Sequence, residues 1–179
     1  MKRWRTAAVA ALIAAVAATA PVMAAVPQAQ TETKQDAAAG QQSGPAYVFQ
    51  YGENSYAVGM DAQEAMKTLG QEKSARDVNT CANGYINKAY TYGKDDKDFE
   101  VYVEQDENGK DRIASITLLT ANVATAEGLK VGDGEARIAA LYPAAKKGLA
   151  SYKVQDGAQE LYIRVSKGAV SYISYTTAK

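Results

Sequence analysis

The chain has 179 residues with 20 basic and 20 acidic side chains, one cysteine and no histidine. That balance argues against nucleic acid or an anionic membrane surface as partner, since both are gripped by clustered basic residues. The missing histidine removes the commonest general base and zinc ligand, and a lone cysteine closes no internal disulfide. No cofactor and no metal site is expected from this inventory.

Met1-Lys2-Arg3-Trp4-Arg5 precedes a run of Ala, Val, Leu and Ile from Thr6 to Ala20. A charged start, a short apolar stretch and small residues after it compose a secretory signal. Cleavage is expected after Ala24, making 1–24 the signal. The alternative is a retained anchor, because Thr6 to Ala25 is 20 residues, enough to cross roughly 30 Å of hydrocarbon. Only then would the membrane be a partner. Without Lys2, Arg3 and Arg5, the 20 basic residues become 17 against 20 acidic ones, a net charge of −3. Residues 25–45 are rich in Gln, Ala, Thr and Gly and carry no aromatic residue, which reads as a flexible tether. Residues 46–179 have the size of one domain. The predicted location is secreted or on the outer surface of a bacterium.

Within 46–179, Tyr47–Tyr51 reads as a leading strand and Gly52-Glu53-Asn54-Ser55 as a turn. A short strand then ends at Gly59, where glycine permits the sharp turn into a helix. Asp61 is placed to cap that helix, with Glu64 three residues on completing a capping box. Ala65 and Leu69 share one helical face before Gly70 stops it. The stretch Ala57 to Gly70 aligns without gaps on Lys130 to Pro143, Val58-Gly59 falling on Val131-Gly132. Ile138 and Tyr142 repeat the apolar spacing, and Pro143 replaces Gly70 as breaker. Arg112–Leu118 matches Ala169–Tyr175 in a second resemblance, so the reading is a duplication. The first unit spans about 46–120 and the second about 121–179. The first is longer by about 16 residues, mostly around Cys81.

Lys88–Tyr92 and Phe99–Gln105 in one unit, and Ser151–Val154 and Glu160–Val165 in the other, read as strands from their alternation and their β-branched and aromatic content. Glu107-Asn108-Gly109-Lys110 and Ser166-Lys167-Gly168 read as hairpin turns. The predicted fold class is therefore α+β: two tandem strand–helix–three-strand repeats, with helices packed on one face of antiparallel sheet.

The order and the opening motif resemble two families. Gly59-Met60-Asp61 leading to Leu69-Gly70 is similar to the Gly-Met-polar motif of the tandem β-lactamase inhibitory protein fold and of the single-module SmpA/OmlA envelope family. Thr80-Cys81-Ala82 through Tyr90-Thr91-Tyr92 to Gly132-Asp133 looks like exported proteins and lipoproteins of Gram-positive gut bacteria. The resemblance implies a tandem architecture and a binding sheet. It carries over no inhibitory residue, no module disulfide and no lipid-acceptor cysteine.

Asp95-Asp96-Lys97-Asp98 and Asp106-Glu107-Asn108-Gly109-Lys110-Asp111 invite a calcium reading. They lack the ligand alternation and distal Glu of a calcium loop and read as solvated hairpin ends. Glycine-rich phosphate loops are missing. Catalysis is not expected.

Tyrosine stands out, with twelve against two Phe and one Trp. Tyr90 and Tyr92 share a strand face, Tyr172 and Tyr175 lie on opposite faces, and Tyr102 and Tyr162 sit in middle strands. Tyr packs well in sheets and is equally at home in interfaces. Tyr90, Tyr92, Tyr102, Tyr162 and Tyr172 are the candidate binding residues. Cys81 is the candidate redox residue, against the plainer reading of a small buried side chain. The expected function is a secreted or surface-tethered non-catalytic module that docks a protein or cell-envelope component. The alternatives are a carboxylate-based hydrolase of an extracellular polymer and a thiol-linked dimer or redox sensor.

Overall fold

The computed structural model describes residues 47–79, 86–94 and 97–178, all within the unit Gln41–Lys179. The expected signal, the tether up to residue 45, and Cys81 lie outside the described residues.

Among the described residues, ten strands and two short helices follow in chain order: β1 (Phe49–Tyr51), β2 (Asn54–Tyr56), α1 (Ala62–Leu69), β3 (Ser74–Asn79), β4 (Ile86–Tyr92), β5 (Phe99–Gln105), β6 (Asp111–Leu118), α2 (Ala136–Leu141), β7 (Lys146–Lys147), β8 (Ser151–Asp156), β9 (Gln159–Ser166) and β10 (Ala169–Thr177). β1 and β2 form a separate hairpin, and the other eight make one antiparallel sheet in the order β3-β4-β5-β6-β10-β9-β8-β7. The α+β expectation of two strand–helix–three-strand repeats is thereby corrected: the protein is mostly β, with β6 paired directly to β10 in a single continuous sheet.

The reasons for the difference are local. Asp61 caps α1 as expected, accepting from the Gln63 and Glu64 amides at 3.0 and 3.2 Å. Gly70, at φ 82°, ends the helix after eight residues, and only Ala62, Ala65 and Leu69 are buried. α2 has six residues, no side-chain cap at Glu135, and Ile138 as its one buried position. Helices this short contribute little to a core and act as covers for a sheet. Neither helix is entered from a strand that ends at its glycine: β2 stops at Tyr56, and among the described residues no strand lies between β6 and α2. Gly59 instead donates its N–H to the Ile113 carbonyl and Gly132 donates to that of Val170, both at 2.8 Å.

Partners in an antiparallel ladder share a face, so the register divides the side chains in two. Phe99 faces Leu118, Val101 faces Ile116, Leu118 faces Ile173, Tyr175 faces Leu161, and Ile163 faces Tyr152. These are buried and form the core together with Phe49, Tyr56, Ala65, Leu129 and Ile138. The core thus lies between one sheet face and a cover of the β1–β2 hairpin, α1, α2 and the segment 119–135. Bulges in β6 and β10 re-phase the alternation, so that Ile113 and Ile116, and again Val170 and Ile173, all point into the core.

Candidate functional site

The other face of the sheet is open and carries a different chemistry. Its ladder places Tyr102 opposite Ser115, Glu100 opposite Thr117, Thr117 opposite Ser174, Ser174 opposite Tyr162, and Tyr162 opposite Lys153. Apart from Tyr172 near the start of β10, the two central strands, β6 and β10, present short hydroxyl side chains along the trough, while β9 and β8 present long ones. Small residues flanked by large ones make a trough. It has a volume of about 530 Å³ and is lined by Ser115, Thr117, Leu119, Lys153, Glu160, Tyr162, Tyr172, Ser174, Thr176 and Thr177. That size is in the range of sites for small molecules and chain segments.

The floor is tied across β6 and β10 by a 3.1 Å hydrogen bond between the hydroxyls of Thr117 and Ser174. One wall is a row of paired side chains. Tyr162 and Tyr172 lie with ring centroids 5.9 Å apart and planes tilted by 38°. Lys153 Nζ sits 5.9 Å from the Tyr162 centroid, and the Arg164 guanidinium sits 5.9 Å from that of Tyr172. Such cation–π contacts help to fix the position of each ring. Lys153 Nζ also donates to both oxygens of Glu160, at 3.1 and 3.2 Å. Glu160, only 9% exposed, has its charge compensated at the wall. On the far side of the face, Arg76 reaches from β3 across β4 to both oxygens of Glu100 on β5, at 2.9 and 3.1 Å. It passes over Ala89 and Thr91, which are small enough to lie beneath it.

The candidate tyrosines separate by face. Tyr162 and Tyr172 meet in the trough wall. Tyr102 shares their face one strand beyond the floor, where its hydroxyl accepts a 2.8 Å hydrogen bond from Asn87 Nδ2. Tyr90 packs half-buried against the core. Tyr92 is 1% exposed and stacks on Phe99 at 5.5 Å, so it touches no partner in the folded protein. Glu160, Lys153, Thr117 and Ser174 escaped the sequence reading, which counted aromatic residues. The alternation Glu160-Leu161-Tyr162-Ile163-Arg164 already put Glu160 and Arg164 on the face of Tyr162.

Burial pushes the Tyr92 hydroxyl up to about 12. Burial likewise raises Tyr175, and burial followed by a hydrogen bond to the Glu127 carboxylate raises Tyr142. A phenol held above its unfolded value favours the folded state fully below that value, near 10. The contribution is lost as pH climbs through the folded value. Stability should therefore fall steeply above pH 10, with phenolate absorbance from these three rings appearing together with loss of strand circular dichroism. Ionisation of all three in a protein that stays folded would contradict their burial.

Elsewhere, Glu135 joins Lys147 Nζ at 2.8 Å and the Tyr152 hydroxyl at 2.6 Å. The Lys147 bond is the leading reason that its carboxyl sits below the usual range. This cluster fastens the start of α2 to β7 and β8 and is fully paired within itself. Among the described residues no group of three or more Cys, Asp or Glu is arranged to hold a metal ion.

Comparison with family models, curated proteins and solved structures finds no match to this chain.

Proposed function

We propose that this protein is an exported, non-catalytic binding module that docks an envelope or extracellular partner on the open face of its sheet. The observation that carries the reading is the contrast between the two faces. One is covered by the hairpin, the helices and the segment 119–135. The other leaves Tyr162, Tyr172 and the hydroxyl floor uncovered at a trough of about 530 Å³. The charged and apolar N-terminal run and the resemblance to envelope families support an extracellular setting. Binding is favoured over hydrolysis by the trough's acid inventory. Two-carboxylate hydrolysis needs an acid and a second carboxylate facing one bond. Among the described residues lining the trough, Glu160 is the one carboxylate, and Lys153 holds it.

The test is the double variant Tyr162→Ser/Tyr172→Ser, assayed by capture of partners from the producing cell's envelope and medium. Both rings are partly exposed, so the unfolding free energy from urea denaturation should stay within about 1 kcal/mol of the parent. Apparent affinity for the captured partner should fall by about tenfold or more. Capture at parental strength by a folded double variant would overturn the open-face reading.

A further inference from the structure

We propose that the trough binds an uncharged saccharide chain, a proposal that rests on the open-face reading and names the chemistry of its ligand. Three features of the lining converge on it. The first is charge. Glu160 is matched by Lys153, so the two charged groups that line the trough compensate each other; among the described residues Arg164, beside Tyr172, is a cation with no carboxylate partner, and it lies outside that lining. A charged ligand seated on the lining would have to compete with that pair, whereas an uncharged one need not.

The second feature is the hydrogen-bonding inventory. A carboxylate only accepts, an ammonium only donates, and a hydroxyl does both. Glu160 and Lys153, joined to each other, line the same trough as the paired hydroxyls of Thr117 and Ser174. Two neighbouring sugar hydroxyls can donate to the Glu160 carboxylate while accepting from the Lys153 ammonium. A peptide segment is served less well. Its main chain is recognised by adding to a sheet edge, and this trough lies on the sheet face, over its central strands. Ser and Thr are also under-represented among residues that dominate protein–protein binding, yet they make this floor.

The third feature is the wall. Tyr162 and Tyr172 are partly exposed and tilted against each other, and the negative face of an aromatic ring attracts the weakly positive C–H side of a pyranose. From Tyr172 to Thr177 the lining follows β10 for about 17 Å, longer than a single sugar ring, which points to a chain rather than a monosaccharide.

The experiment is a titration of the isotope-labelled full chain with chitohexaose, cellohexaose and maltohexaose, followed by amide and side-chain NMR shifts. The expected result is saturable movement confined to Thr117, Tyr162, Tyr172 and Ser174 with at least one of the three. Glu160→Gln, close to isosteric, should weaken that binding by about tenfold or more. Tyr172→Ala should weaken it by a similar factor. No saturable shift with any of the three overturns the proposal, as does binding that Glu160→Gln and Tyr172→Ala leave unchanged. If the sugars fail while partner capture still depends on Tyr162 and Tyr172, the ligand is a protein and only this inference falls. If both fail, the open-face reading falls with it.

Discussion

Phe99→Ala is expected to lower stability by about 3–5 kcal/mol and to loosen the β1–β2 hairpin from the sheet. Phe99 is fully buried at the start of β5. Its ring meets Phe49 at 4.8 Å and Tyr51 at 4.7 Å, both edge-on, and stacks with Tyr92 at 5.5 Å. The hairpin pairs with no strand of the large sheet. Its attachment therefore depends on side-chain packing, and Phe99 is where two of its aromatic rings converge. Truncation leaves a cavity that three rigid rings cannot collapse to fill, which puts the cost at the upper part of the range for core substitutions. Urea denaturation should give a lower midpoint with an unchanged slope. A loss under about 1 kcal/mol would mean that the hairpin is seated by something else.

Gly93→Ala should cost about 3 kcal/mol or more, from two additive causes. Gly93 follows β4 at φ +121°, a conformation that side chains resist, and a Cβ there would lie 2.3 Å from Asp98 Cβ. Asp98 has no room to yield. Its carboxylate accepts from the Lys94 amide at 2.7 Å, the Thr120 hydroxyl at 2.7 Å and Asn122 Nδ2 at 2.8 Å. Its backbone is also bonded to Tyr92 and Leu119. Gly52→Ala is the control. Gly52 also has a positive φ, of +62°, but a Cβ there meets nothing within 4 Å, so only the backbone cost of about 1 kcal/mol should appear. Equal losses at the two positions would mean that Asp98 moves aside. Because Leu119 sits at one end of the trough, Gly93→Ala should also weaken binding on the open face.

Much of the sheet was legible in sequence because its strands obey simple alternation. Phe99–Gln105 falls where β5 is, and the ends of β4, β6, β8, β9 and β10 differ from the expected ones by a few residues. The turn at Lys167-Gly168 has φ of 53° and 78° at its two residues, the left-handed pair that a two-residue hairpin demands. What failed has physical causes. β3 reads Ser-Ala-Arg-Asp-Val-Asn, and as an edge strand, exposed from Ser74 to Asp77, it had no hydrophobic alternation to display. Asn54–Ser55 were read as a turn, yet they belong to β2 of a hairpin held by Phe49 and Tyr56. The helix signals at Asp61 and Ile138 were real but stop after two turns, and a capping pattern says where a helix starts without saying how much of the fold it carries. The bulges in β6 and β10 were invisible for a related reason, since a register shift is set by pairing rather than by composition.

The site was half legible. The odd spacing of Tyr172 and Tyr175 placed them on opposite faces, and Tyr175 is indeed 2% exposed in the core. Which face was open depended on where the hairpin packs, and that contact joins Phe49 to Phe99 across fifty residues of sequence. Tyr92 was a candidate for binding and is a core residue for that reason.

The account's central claim is that the uncovered face of the sheet is where a partner docks. Oxidative side-chain footprinting of the full chain, free and bound to envelope material of the producing cell, tests it most directly. Tyr162 and Tyr172 should become protected on binding, while Leu149, fully exposed at the β7–β8 turn, and Ile86, 61% exposed, stay as reactive as in the free protein. Protection at Leu149 or Ile86 with Tyr162 and Tyr172 unchanged would contradict it.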